Sequence, residues 1–222
     1  MNATDTSLLT RDRHATTRSP LVVVTDDSPV PEWVTTWCGQ TGRRLRVRRV
    51  PQPHVSGPAT PLARVQAVTE VADRLVLLVR PVRGRRRPPR VVAAVDALPD
   101  DSPVVATAAE IAQQRGAGLV LLHGVPLSFA ERSVGLDSAV ERGRELLETT
   151  VRHLHQAYPD VAAVAELHRA HPHELVGADL DADLLVAGGA YLGHPVRVGP
   201  VARSALHHAP CPVLLVPRHP RR

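Results

Sequence analysis

Few residues in this chain have the type and spacing that could do chemistry. His168, His171 and His173 stand together in the run HRAHPH. Imidazoles so close in sequence could hold a cation, but a zinc-type centre needs four ligands aimed at one point. Pro172 interrupts any helical spacing here, so solvated histidines are expected and no metal is assigned. Ser204 and His207 fall on one helical pattern. No acid or oxyanion arrangement accompanies them, and neither a GxSxG elbow nor a GxxxxGK[ST] phosphate loop occurs. No catalytic residue is therefore assigned, and the chain is not expected to be an enzyme. Cys38 and Cys211 lie far apart and outside any CxxC, which points to two buried thiols rather than a disulfide. His207 and His208 close a helical run, where positive charge suits the helix dipole.

The other candidate chemistry is electrostatic. The net charge is +5, and all 27 basic residues are arginine. Six of them lie in RPVRGRRRPPR, residues 80–90, which holds no acid; without them the chain would carry −1. Its prolines forbid a helix and its like charges repel, so an extended solvated linker is expected over 83–90. With no interleaved aromatics and no folded reader, specific nucleic-acid binding is not expected.

The elements around these residues follow from composition and period. The 222 residues are 43% hydrophobic and only 2% aromatic, enough for one full α/β domain plus a smaller unit with an aliphatic core. Unbroken aliphatic runs suit parallel strands buried on both faces. No apolar run approaches the roughly 18 residues that span a membrane. Residues 1–18 are polar and aperiodic, without an apolar signal core, so a disordered tail, no membrane and a cytoplasmic location are expected.

Strands are expected at 91–95, 118–125, 161–168, 183–189 and 212–217. Helices alternate with them. Ser102 offers an N-cap with Pro103 at the first helical position, and Gly116 a C-cap. A long helix spans 137–158, with Val140, Leu146, Leu147, Val151 and Leu154 at helical spacing. A short helix follows Pro172, and another covers 201–208. Five strands alternating with helices imply a doubly wound parallel sheet over 91–219, in the order 3-2-1-4-5. A ligand crevice then lies beyond strands 1 and 4, where the order reverses. The first part repeats some of this plan. LVVVTDDSP at 21–29 parallels VVAAVDALPDDSP, TGRRLRVRRVP parallels RGAGLVLLHGVP, and DRLVLLVRP parallels CPVLLVPR. Residues 19–82 thus form a reduced copy with about three strands and a helix from 61–73.

The stretch ADLLVAGG, followed by GPVARSALHHAPCPVLLVP, resembles the end of universal stress proteins, with their "DLLVVG" strand, glycine loop, "GSV" and "HAPCPVLVV". Asp96 at a strand end, RGAGLVLLH and the Pro172 turn fit the same family, and the resemblance spans 90–219. It implies a tandem universal stress protein of the adenine-nucleotide alpha-hydrolase-like fold, with a shortened first unit. One class of the family binds ATP through G-x2-G-x9-G-(S/T). Glycines let the backbone approach phosphates, and the next helix N-terminus favours their charge.

The resemblance makes Asp96, Gly124, Gly188, Gly189, Gly193, Gly199 and Val201 the candidate cofactor-binding residues. Asp96 would lie near adenine and ribose, with a turn-forming acid as the alternative. Gly124 would lie at the adenine-facing backbone, with a plain strand-end glycine as the alternative. The loop departs from the pattern. Tyr191 stands where the second glycine should be, and Gly199 follows Gly188 by 11 residues where the motif needs 13. Pro200 replaces the hydroxyl residue and offers neither hydroxyl nor amide. Gly189 and Gly193 are the glycines that could compensate. The first unit lacks a glycine loop.

The expected function is a stress-response regulatory or binding module with weak or absent binding of ATP or another adenine nucleotide, and an unidentified protein partner. The alternative is an ATP-binding universal stress protein, or a slow ATPase or nucleotidyl-transfer enzyme. Residues 75–79 and 213–216 each end a unit, and they are expected to pair as a pseudo-dimer within the chain or as a homodimer.

Overall fold

A computed structural model describes residues 19–26, 28–50, 59–81, 88–98, 100–126, 136–191 and 198–218. The tail at 1–18, Gly193 and most of the linker lie outside the described residues. The elements are β1 (Leu21–Thr25), α1 (Glu32–Thr41), β2 (Leu45–Arg49), α2 (Ala59–Thr69), β3 (Leu75–Leu78), β4 (Arg90–Ala94), α3 (Ser102–Arg115), β5 (Gly118–Gly124), α4 (Leu136–Ala157), β6 (Ala163–His168), α5 (Pro172–Leu175), β7 (Leu184–Tyr191), α6 (Pro200–His208) and β8 (Val213–Arg218).

All eight strands join one sheet, in the order β2-β1-β3-β8-β7-β4-β5-β6. The five-stranded sheet expected for 91–219 is therefore one part of a larger one. Neighbours are parallel except β3 and β8, which run antiparallel with Leu77 opposite Leu214. The aliphatic runs of β4 and β7 lie side by side, with Val92 opposite Leu185. Strands β1 and β3 are buried along their whole length, as all-apolar strands covered on both faces must be. The edge strand β2 is exposed from Arg46 to Arg49, and its charged residues suit an edge.

One apolar core lies on each face of the sheet. The first joins Leu21, Val23, Leu75 and Leu77 to Ala93, Leu121, Val186 and Leu214, under α1, α3 and α4. The second joins Val22, Val76 and Leu78 to Val92, Leu185 and Leu215, under α2 and α6. Both cores cross the β3–β8 seam. Helix α1 packs on α3, and α2 packs on α6. The side chain of Gln114 in α3 donates to the carbonyl of Trp33 in α1 at 3.4 Å.

Two local expectations need correcting, and one helix was not anticipated. The α3 N-cap is Asp101, with Ser102 already helical, because the Asp101 carboxylate closes the preceding turn. The 80–90 run is not all solvated linker. Arg80 donates to the Leu206 and Ala209 carbonyls at the end of α6, and Arg90 pairs with Glu166 and Asp181. Helix α1 was not marked by the sequence pattern, although Val34, Trp37 and Cys38 bury one stripe and Gly42 ends it at φ 64°. At the equivalent end of α3, Gly116 takes φ 56°, a conformation that favours glycine. Both cysteines are buried. Among the described residues no helix is long and apolar enough to cross a membrane.

Candidate functional site

The sheet order reverses beside β4. Helix α3 covers one face, α6 covers the other, and neither can fill the gap past the strand ends. A cleft of about 250 Å³ opens there. Ala94, Val95, Leu122, Leu175 and Val176 form its apolar wall, while Asp96, Asp101, Gly188, Gly199, Pro200 and Arg218 form its polar end. Among the sequence candidates, Asp96, Gly124, Gly188, Gly199 and Val201 all line this cleft.

Asp96 follows β4 and is exposed. Its amide donates to Oδ2 of Asp101 at 2.7 Å, and the Ala97 amide donates to the same oxygen at 3.0 Å. One buried carboxylate therefore ties down the turn that presents Asp96. Asp101 is only 2% exposed, and burial pushes its carboxyl above the ordinary value. The two amide bonds and Arg218 pull the other way, and the Asp96 charge adds to the rise. Nδ1 of His123 lies 2.8 Å from the Val95 carbonyl and fixes the strand end from the β5 side.

Gly188 and Gly189 are adjacent on β7, so a Cβ on each would point to opposite faces of the sheet. At Gly188 it would meet Nε, Cδ and Cζ of Arg218 at 2.5–2.8 Å. The missing side chain is what seats the Arg218 guanidinium. At Gly189 it would meet the Ala72 carbonyl oxygen at 2.9 Å. Gly189 thus faces the turn after α2 at Ala72 and does not line the cleft. Gly124 lines the cleft, but its constraint comes from the chain lying on it, with the Ala170 oxygen and Pro172 Cα each 3.0 Å from a Cβ there.

Gly199 is the extended N-cap of α6, and Pro200 is its first helical residue. Pro200 has no amide, and the Arg203 amide bonds back to the Gly199 carbonyl at 2.9 Å. The Val201 and Ala202 amides therefore have no intrahelical acceptor, and both residues line the cleft. Asp101 and Arg218 were absent from the sequence candidates. Their ion pair, 3.5 Å between Nη1 and Oδ1, joins residues far apart in the chain. The only sequence signals were the acidic turn before Ser102 and an arginine just past an apolar run.

Elsewhere, His171 caps α5 with Glu174 in a capping box, and the Ser204 hydroxyl donates to the His173 carbonyl at 2.5 Å. Among the described residues no three His, Cys, Asp or Glu side chains converge as a metal site would. Asp26, just after β1, pairs with Arg64 at 2.6 Å and accepts from the Ser28 amide at 2.9 Å.

A family model described as the universal stress protein family matches residues 88–217. No curated protein matches the chain. Among solved structures it is similar to a functionally unknown protein of Pseudomonas aeruginosa PAO1, at 13% identity over 92% of this chain and 95% of that one, with a TM-score of 0.56. A putative universal stress protein of P. aeruginosa UCBPP-PA14 is 13% identical over 89% of this chain and 82% of that one, with a TM-score of 0.51. The Archaeoglobus fulgidus universal stress protein in complex with dAMP is 25% identical over 60% of this chain and 99% of that one, with a TM-score of 0.47. The two Pseudomonas likenesses are of fold alone and run through both parts of the chain. The family match covers more than half of the 222 residues, and it includes the β4 turn, the glycines and α6 that frame the cleft: the chain belongs to the universal stress protein family.

Proposed function

We propose that this protein is a cytoplasmic, non-catalytic binding and regulatory module of the stress response, whose nucleotide cleft is altered so that ATP binds weakly or not at all. The observation that carries this is the polar end of the cleft. Pro200 occupies the first position of α6, where a hydroxyl and an amide would otherwise face the phosphates. The Arg218 side chain lies over the open side of Gly188, the surface a phosphate chain would approach. The 11-residue spacing from Gly188 to Gly199 shortens the path a triphosphate would follow.

We read residues 19–82 as a reduced copy of the 91–219 unit, so that the whole is a pseudo-dimer within one chain. The pairing of like with like supports this. The antiparallel seam joins β3 to β8, and the helix contacts join α1 to α3 and α2 to α6, as a twofold axis would arrange them. In the copy, Arg64 pairs with the strand-end acid Asp26.

The test is calorimetry with ATP at low salt. Millimolar or undetectable binding is expected, and a submicromolar dissociation constant overturns the proposal. A second reading, an ATP-binding member or slow ATPase, is favoured by one observation: Asp96, Gly188 and Gly199 do share one cleft. It requires tight binding that Asp96→Ala weakens and Gly199→Val weakens more, together with measurable turnover.

A further inference from the structure

Strand β2 closes one end of the sheet, and the stretch that forms it holds Arg43, Arg44, Arg46, Arg48 and Arg49 with no acid among them. Two of these are engaged. Arg43 is buried against the Trp37 ring, and Arg48 reaches Glu70, just after α2, at 2.6 Å. Arg44, Arg46 and Arg49 are exposed, and among the described residues no carboxylate pairs with them. The backbone of β2 is open as well. The Leu21 amide donates to the Arg44 carbonyl and the Val50 amide to the Thr25 carbonyl, both at 2.9 Å. Backbone groups alternate in direction along a strand, so Arg44, Arg46, Arg48 and Val50 turn theirs to β1. Leu45, Val47 and Arg49 turn theirs outward, and no described strand lies beyond them. Such a row of unpaired groups is a template for another chain. The side chains alternate too. Arg46 and Arg48 stand opposite Val22 and Val24, on the face that α2 covers, and Leu45, Val47 and Arg49 stand on the face of α1. Val47 is 47% exposed.

We propose that the β2 edge is the docking site for an acidic segment of a partner protein, which adds to the sheet as a further strand. Outward N–H and C=O groups supply the ladder, and charge chooses the occupant. Acids on the incoming strand stand beside Arg44 and Arg46, and apolar residues between them cover Leu45 and Val47. Opposite charges across a strand pair attract and like charges repel, so the arginines that keep basic strands off favour this one. A second copy does not meet these terms. Its β2 would set arginine against arginine, and its other edge, β6, holds one acid, Glu166, already paired with Arg90. Nucleic acid fits less well, since β2 has no aromatic side chain for bases to stack on. Strands β1, β3 and β8 separate β2 from β7, so this surface is distinct from the cleft. The partner is the one that the binding-module reading calls for, but ATP titration and a peptide titration report on different ends of the sheet, and either can fail alone.

The experiment is fluorescence anisotropy, titrating the full chain into a labelled peptide in which glutamate alternates with valine. A peptide of the same composition with its glutamates grouped at one end, and an oligothymidine of equal charge, are the comparisons. Each cross-strand charge pair contributes up to about fivefold in affinity. The alternating peptide is expected to bind more tightly than both comparisons. The exposed double variant Arg44→Glu with Arg46→Glu is expected to weaken it by about tenfold. Val47→Pro removes an outward N–H and leaves the bonds to β1 in place, as proline on a strand edge can; it is expected to weaken the peptide by about threefold to tenfold. If that variant does not fold, as judged by its far-ultraviolet spectrum, the ladder is tested from the peptide's side. Of two peptides N-methylated at the valines or at the glutamates, the one methylated along the docked edge is expected to lose binding. No saturable binding of the alternating peptide below about 1 mM overturns the proposal. So does equal affinity for the grouped peptide, which would mean that the edge reads charge without strand order, or for oligothymidine, which would make it a general polyanion surface. Unchanged affinity in the double arginine variant, or full binding by both methylated peptides, overturns it too.

Discussion

If the eight strands form one sheet with cores that cross the seam, the chain unfolds as a unit, and a single side chain can test this. Leu77 sits in the middle of β3, opposite Leu214 of β8, and is fully buried. Its side chain belongs to the core that also holds Trp37, Leu121 and Val186. Truncating a buried leucine to alanine costs about 2–5 kcal/mol from lost burial and the remaining cavity. That is a large part of the roughly 5–15 kcal/mol that stabilises a typical domain. The chain carries its own local probe, because its two tryptophans, Trp33 and Trp37, both lie in α1 of the first unit. Far-ultraviolet dichroism, by contrast, is dominated by the helices of the second unit. In urea, tryptophan fluorescence and dichroism should give coincident transitions for wild type. Leu77→Ala should move both to lower urea together, and so should Leu121→Ala, three strands away from β8. A fluorescence transition that precedes the dichroism transition, with Leu77→Ala shifting fluorescence alone, would refute the coupling and make the first unit an independently melting appendage.

Gly189→Ala should destabilise by roughly 1–3 kcal/mol, because the new methyl meets backbone, the Ala72 oxygen at 2.9 Å. Gly188→Ala should cost less, since it meets only the movable end of Arg218; equal urea midpoints for the two variants would contradict these contacts. Asp101→Asn tests the buried carboxylate. Burial raises that carboxyl above its ordinary value near 3.8, so the stability it contributes is fully present below that value and is lost as pH rises through the raised one. Wild type should therefore lose stability relative to Asp101→Asn as pH climbs from about 4 toward neutrality, and a flat or opposite difference in unfolding free energy would refute the assignment.

What was legible in the sequence was local. The aliphatic runs of β4 and β7, the glycine stop of α3 and the strand-end Asp96 each follow from residue type and near neighbours, and each lies where the pattern put it. What was not legible depended on distant partners. Arg80 and Arg90 look like members of a solvated charge run until the α6 carbonyls and the Glu166 and Asp181 carboxylates are brought beside them. Asp101 stands where a capping pattern favours Ser102, and only the turn at 96–97 and Arg218 give it another task. Helix α1 begins after Pro31 with no side-chain cap and mixes threonines into its exposed face. Its apolar stripe is narrow and is completed only by α3.

The adjacent glycines on β7 face two different neighbours. Gly188 opens toward the cleft and seats Arg218, while Gly189 opens toward the first unit, where the Ala190 amide donates to the Ala72 carbonyl at 3.0 Å. The pairing of β7 with β8 is irregular just here, between Gly188 and Tyr191. An irregular strand end carries fewer ladder bonds to hold it, so the hydrogen bond that Ala190 donates to the Ala72 carbonyl takes part of that task. The strand that bears Arg218 is fixed in the same way, with β3 along its outer edge and Arg80 tying the end of α6 beside it. The β1–β3 segment thus borders the second part of the sheet along the β8 edge. Its β3 strand pairs with Val213–Leu215 at the start of β8, and its Arg80 holds the C-terminal end of α6. Loosening the seam should therefore free the start of β8 and the C-terminal end of α6 before it disturbs β4 and β5, which lie farther along the sheet.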